Sequence, residues 1–448
     1  MMGNAGRSGL FRRALGGGMF VAGSYIFAQF ARLLSNLVLT RLLFPEAFGV
    51  MALVMVVLVG LQMFSDVGIG PAISRSPRGD DPDFLNTAWT LNVFRGLFLW
   101  VLTCLVAWPA AWFYQVPELA LMLPVAGLTL LIGGFNPTRI DTANRHLLLV
   151  RVTLMDLMAQ IFGIIVMVIY AWITGSVWAL VVGAVAQILF KLILTSVFLP
   201  GPANRFRWER DSARELVHFG KWILASTAAG FLLTQGDKAV LGSWLTMADL
   251  GHYNIGYFLA SFPVLLAGLV VTRIMIPIYR ELVAHPDPAG AKKLRMLRDG
   301  LTMPMLIVMG GMALCGPLIA GLLYDARYAD VGAIITAVAM AQMPMLIGLT
   351  YDQAALAAGD GKGFFRVQAM RALLQTLALI CGAGLGGLGG ALLAQGLALA
   401  LTHPFLIALA RRHQAWDPRH DLIAAILTIV MILAIVGTHH AALSALFG

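Results

Sequence analysis

Thirteen stretches of this chain stay apolar for about as long as a helix needs to cross a lipid bilayer, ~20 residues. They run over 17–41, 48–72, 86–111, 119–139, 152–173, 177–199, 217–244, 250–277, 301–323, 331–357, 367–385, 388–410 and 421–441. A soluble domain carries about 25% charged residues. Here 59% of the residues are hydrophobic and 12% are charged, so the apolar surface has to face lipid rather than fill a core. Within hydrocarbon every backbone polar group needs an internal partner, and runs of this length meet that need as helices. The expected class is an all-α integral membrane protein.

Basic residues orient it. With the N-terminus in the cytoplasm, 24 of the 31 Lys and Arg fall in inner loops, Arg7, Arg12, Arg13, Arg139, Lys221, Arg298 and Arg371 among them, and only Arg41 and Arg327 fall outside. Such an imbalance sets topology, places the C-terminus in the periplasm, and accounts for the net charge of +9 without nucleic acid. Tryptophans repeat the pattern, with Trp108, Trp112, Trp172, Trp178 and Trp244 at outer ends and Trp89, Trp208, Trp222 and Trp416 at inner ones. Arg12-Arg13 precedes an apolar run that holds Gln29, Arg32 and Asn36, which suits a retained span and no cleaved leader.

The run from Gly18 to Gly49 recurs without gaps at Gly220–Gly251, and each copy is followed by five further spans. The expected plan is therefore two six-helix bundles in parallel pseudo-two-fold repeat, 1–203 and 217–410. A cytoplasmic linker at 204–216 lies along the headgroups, and one extra span occupies 411–448.

Five cations lie inside spans: Arg32, Arg95, Lys191, Lys238 and Arg273. Each costs roughly 2.5–3.5 kcal/mol at mid-bilayer, so they need partners, water or an interface. Depth pairs Asp66 with Arg95, and Asp156 and Gln160 with Lys191 and Gln187, as coupling or structural ion pairs. Asp237 and Asp352 are further acids of that kind. Arg273 is near enough to the inner end to snorkel. Arg32 has no acidic partner in its span, and at 100° per residue Tyr25, Gln29, Arg32 and Asn36 share about 60° of helix surface. That face is the leading candidate binding site.

Other motifs have structural explanations. Gly384-Leu-Gly386-Gly-Leu-Gly389 has GxGxxG spacing but no preceding strand and no acid twenty residues later, so it reads as a tight turn between closely packed helices. Gly359-Asp-Gly-Lys362 lacks the phosphate-loop spacing. Cys104, Cys315 and Cys381 are far apart, and the nine histidines, His439 and His440 included, form no ligand spacing. No metal or other cofactor is expected, and no enzyme is evident.

Thr40-Arg-Leu-Leu-Phe-Pro-Glu-Ala-Phe-Gly-Val-Met-Ala-Leu53 and Phe64-Ser-Asp-Val-Gly-Ile-Gly-Pro-Ala-Ile73 resemble the N-terminal signature of polysaccharide transporters. These are the O-antigen and exopolysaccharide flippases of the multidrug/oligosaccharidyl-lipid/polysaccharide exporter superfamily. The resemblance implies two six-helix lobes around a central cavity, which carry an undecaprenyl-diphosphate-linked oligosaccharide from the inner to the outer leaflet of the bacterial inner membrane. It also implies that Arg32, Arg95, Lys238 and Arg273 line that cavity, and it makes membrane lipids and other polysaccharide-assembly proteins the partners. The segment 421–441 exceeds the usual twelve spans. A multidrug or cation antiporter of the same superfamily would share this fold. A membrane-embedded glycan polymerase or ligase would usually carry a large outer loop, and none here exceeds about a dozen residues.

Overall fold

The computed structural model describes residues 4–66, 68–284 and 288–447, without the side chains of 4–19, 22, 217–226, 282–284, 288–289 and 291. The expectations for Arg7, Arg12, Arg13, Lys221 and Trp222 lie outside that set. Regular structure among the described residues is helical, with no strand. Two compact units divide the chain, Met1–Ala228 and Ala229–Gly448.

The first unit holds α1 (Asn4–Leu42), α2 (Pro45–Phe64), α3 (Ile69–Arg75), α4 (Pro82–Tyr114), α5 (Leu119–Ala126), α6 (Leu128–Gly134), α7 (Arg139–Arg145), α8 (Leu149–Thr174), α9 (Trp178–Phe198) and the opening turns of α10 (Arg210–Leu241). Local chemistry sets the breaks. Pro45 starts α2 at the first helical position, where its missing N–H costs nothing. Asp81 caps α4 by accepting the Asp83 N–H at 3.0 Å, with Pro82 next to it. The expected fourth span is bent by 58° between Leu119–Gly134 and Arg139–Arg145, where Asn136-Pro137 cannot continue a helix.

The second unit completes α10 and adds α11 (Met247–Ala284), α12 (Pro288–Leu314), α13 (Gly316–Leu323), α14 (Val331–Ile347), α15 (Tyr351–Ala357), α16 (Gly361–Arg412), α17 (Pro418–Ser444) and a last 3₁₀ turn, Ala445–Phe447. The expected ninth span is two helices, α12 and α13, parted at Cys315 just before Pro317. The tenth is likewise α14 and α15, parted over 348–350. α14 is the axis of the unit, with 72% of its apolar window buried, whereas α17 has 17% buried and shows lipid most of its length.

Nine helices among the described residues are long and apolar enough to cross a membrane, ten if the bent pair is one span, so the chain is a multi-pass membrane protein. α16 carries two of the thirteen expected spans, and the first and seventh coincide with α1 and α10, parts of which are described without their side chains. Non-helical backbone at Gly386 and Gly387 folds α16 into two arms. Gly387 sits at φ 55°, ψ −139°, a region that only glycine enters freely. A Cβ on Gly382 would overlap the Gly390 carbonyl, so the arms touch backbone to backbone. Gly386 and Gly389 in turn seat the Phe447 ring, and Gly384 lies 3.3 Å from Trp244 by its would-be Cβ. The GxGxxG spacing is thus a helical turn, as expected. Gly382→Val should lower the thermal unfolding midpoint of the purified protein, because overpacking of this kind costs about 1–3 kcal/mol. Gly437→Val on α17, where a Cβ meets open space, is the control. Equal midpoints for the two variants would refute the contact.

Candidate functional site

α1 carries the site residues read from the sequence. Gln29, 6% exposed, donates from Nε2 to the Tyr25 hydroxyl at 2.7 Å, while its Oε1 has no partner among the described residues. α8 packs against α1 here, with Gln160 Nε2 donating to the Ala28 carbonyl at 2.8 Å. One turn on, Arg32 is exposed, and its guanidinium has no hydrogen-bond or ion-pair partner among the described residues. Asn36 is half-buried on the same face. The result is a cation without a countercharge beside a fixed amide and phenol on an otherwise apolar helix. It is a ready anion site.

The other intramembrane charges are already engaged. Lys191 on α9 meets Asp156 on α8 at 2.7 Å, the pair that depth predicts. The Asp66–Arg95 pair does not form. Arg95 donates from Nε to Ser65 Oγ and from Nη2 to the Gln62 carbonyl, both at 3.0 Å, because the end of α2 offers free acceptors. Asp66 instead accepts the Gly68 N–H at 2.8 Å and shapes the turn into α3. Lys238 is 3.8 Å from Asp237 and 4.9 Å from the Tyr257 ring centroid, and Asp237 accepts the Tyr253 hydroxyl at 2.7 Å. Asp352 lies 3.6 Å from Arg371, both side chains 11% exposed. Arg273 is exposed on α11. In the first unit, then, the intramembrane cation with neither a hydrogen-bond nor an ion-pair partner among the described residues lies on α1, with its polar neighbours.

Two arginines counted as loop bases are interior. Arg371 pairs with Asp352 as above. Arg298 on α12 is 1% exposed and ties distant segments together. Its Nε donates to Thr350 Oγ1 at 3.2 Å, and its Nη2 donates to Tyr279 Oη at 2.9 Å and to the Ala415 carbonyl at 2.6 Å. Nη1 lies 3.9 Å from Asp417, and the Tyr351 ring centroid is 4.7 Å from the guanidinium carbon. Tyr351 donates to Asp421 at 2.5 Å, and Asp421 also accepts from Trp416 at 2.9 Å and His403 at 3.1 Å. Nothing in a hydropathy profile marks this cluster. Its one signal in the sequence is that aromatic and acidic residues recur near helix ends, at Tyr279, Tyr351 and Trp416-Asp417.

At the base of the first unit a second network holds the linker. Arg78 reaches Asp81 at 2.6 Å and Glu209 at 2.8 Å, and Ser212 donates to the same Glu209 carboxylate. Bonds from Ser212 and Arg78 hold Glu209 below the usual carboxylate range, and Arg78 with the Asp83 N–H does the same for Asp81. Asp80 is lowered by His146, whose Nε2 donates at 2.8 Å, and by the charge of Arg145. Residues 202–209 have no regular structure but are fastened along α4. The N–H groups of Arg205, Arg207 and Glu209 donate to Asn86 Oδ1, Thr90 Oγ1 and Thr87 Oγ1 at 2.9–3.1 Å. Among the described residues no three His, Cys, Asp or Glu side chains are placed to hold a metal.

Residues 38–333 match a sequence family described as polysaccharide biosynthesis protein. The chain is 22% identical over 256 residues to the amylovoran biosynthesis protein AmsL of Erwinia amylovora, covering 56% of this chain and 65% of that protein. It is 22% identical over 348 residues to the succinoglycan biosynthesis transport protein ExoT of Rhizobium meliloti, covering 77% of this chain and 69% of that one. Four of the curated relatives are spanned over only 46–65% of their own length. Among solved structures, the lipid II flippase MurJ in an inward closed conformation aligns over 94% of this chain and 99% of its own with a TM-score of 0.67. At 11% identity that likeness speaks for the fold alone.

Proposed function

Because this chain belongs to the family of polysaccharide biosynthesis proteins, we propose that it is a transporter rather than an enzyme, and that it moves a polyprenyl-diphosphate-linked oligosaccharide from the inner to the outer leaflet of the bacterial inner membrane. The observation that carries this reading is Arg32, an exposed guanidinium with no partner among the described residues. A diphosphate cannot enter ~30 Å of hydrocarbon without charge neutralisation. The planar fork of an arginine grips two phosphate oxygens at once. Gln29 offers an unused acceptor oxygen beside it, and Tyr25 and Asn36 complete a polar face suited to sugar hydroxyls.

The remaining charges take other roles. Arg95 spends two of its donors on the end of α2 and keeps Nη1 for a passing phosphate, and Arg273 meets the headgroup on the second unit. Lys238, held by Asp237 and Tyr257, serves as an internal countercharge. The same reading puts the loops at 200–216 and 279–300 in the cytoplasm, and it takes other polysaccharide-assembly proteins as partners. The name of ExoT, a transport protein, supports it.

The test is flipping in proteoliposomes. The purified full-length chain, reconstituted with a fluorescent polyprenyl-diphosphate oligosaccharide, should expose the inner-leaflet probe to an added quencher faster than protein-free vesicles do. A rate equal to that of empty vesicles would overturn the reading. Uptake of a soluble organic cation in its place would identify an antiporter instead.

A further inference from the structure

Several linker side chains stay exposed although the backbone that carries them is fastened to α4. Phe206 is 65% exposed and Trp208 is 56% exposed, large apolar groups on a segment without regular structure. Arg205 and Arg210 flank them, also exposed, with no side-chain partner among the described residues. Arg207 is engaged with Asp83 at 2.7 Å, and Arg139 holds the backbone of the linker through the Pro202 carbonyl at 2.9 Å. The free cations are therefore not general surface charge. They are what remains after each nearby acid but Asp211 and Glu215 has been taken. Those two, with Arg214, line a separate cavity of about 590 Å³ against α3.

Depth identifies what lies opposite. α4 has 33 residues and is about 50 Å long at 1.5 Å per residue. A hydrocarbon core of ~30 Å leaves about 10 Å of it projecting at each end. The linker is fastened at Asn86, Thr87 and Thr90, the fifth to ninth residues of α4, roughly 6–12 Å from its start. That level is the boundary between acyl chains and headgroups, where tryptophan and phenylalanine are favoured and arginine reaches phosphates. The Trp89 ring, 4.9 Å from Phe206, sets the aromatic layer at the same level.

We propose that residues 205–210 form a binding surface for anionic phospholipid headgroups, with Phe206 and Trp208 seated among the upper acyl chains and Arg205 and Arg210 on the phosphates. The surface is distinct from the Arg32 site. Because the linker is fixed to α4 by backbone hydrogen bonds, bound lipid braces the first unit.

Full-length protein in a neutral detergent tests this. Added phosphatidylglycerol should raise the thermal unfolding midpoint by roughly 2–4 °C over the same amount of phosphatidylcholine. The double variant Arg205→Gln/Arg210→Gln should fold with an unchanged midpoint in detergent alone and lose the phosphatidylglycerol increment. Trp208→Phe should remove the contribution of one of the ten tryptophans to the fluorescence quenching by brominated phosphatidylglycerol, and a difference emission spectrum against the native chain should show it. Arg32→Ala should keep the full increment, which separates this surface from the transport site. An increment that survives in the double variant, or no preference for phosphatidylglycerol in the native chain, would overturn the proposal.

Discussion

Arg32→Ala should abolish export of surface polysaccharide in a strain that carries it as the sole copy. The substituted protein should still accumulate in the membrane at the native level. The two halves of that expectation come from the same fact. An exposed guanidinium without a partner among the described residues contributes little to folding, so its loss should change stability by no more than about 0.5 kcal/mol. If it neutralises a diphosphate in transit, its loss restores the whole barrier of an anion in hydrocarbon. Arg32→Lys keeps the charge but replaces the planar fork by a single ammonium, and should restore part of the export. Surface polysaccharide measured per cell against protein level decides it. Full export from the alanine variant would make Arg32 a structural residue.

Arg298→Met should have the opposite profile, with loss of folded protein before any question of transport arises. Methionine fills similar space but leaves the Ala415 carbonyl, Tyr279 Oη and Asp417 without their donor in a site where Arg298 is 1% exposed. Removing one member of a buried charged network costs about 3–5 kcal/mol, which corresponds to a fall in unfolding midpoint on the order of 10 °C. Tyr351→Phe, which deletes the bond to Asp421 and the two longer ones to the Asp417 backbone at 3.4 Å, should cost less, roughly 1.5–3 kcal/mol. The order of the three midpoints, native above Tyr351→Phe above Arg298→Met, is the check. A native-like midpoint for Arg298→Met would show that solvent replaces its partners.

Features that depend on neighbouring residues were legible in the sequence. The apolar runs became helices, the glycine turn became the bend of α16, and the shared face of Tyr25, Gln29, Arg32 and Asn36 came out on α1. Asp156 and Lys191 were found because consecutive antiparallel spans bring equal depths together. Features built from several segments were not. Arg298 and Arg371 read as loop bases because hydropathy cannot tell a helix end in water from one capped by other chain segments. The Asp66–Arg95 expectation failed because it weighed charge alone, and the nearer acceptors were a serine and a backbone carbonyl. The way the linker is fastened escaped for a similar reason. The side chains that hold it, Asn86, Thr87 and Thr90, look like ordinary positions of α4 until something lies across them.

The way α17 is fastened constrains how such chains diverge. The sequence reading makes it an addition to a twelve-span plan, yet Asp417 at its start and Asp421 in its first turn answer Arg298 and Tyr351, which belong to earlier helices of the same unit. A lineage that dropped the helix alone would strand a buried cation, and one that gained it alone would bring acids to an apolar wall. Arg298, Tyr351 and the two aspartates should therefore be inherited or lost as a set. Homologues that end before this helix should carry an uncharged residue where this chain has Arg298.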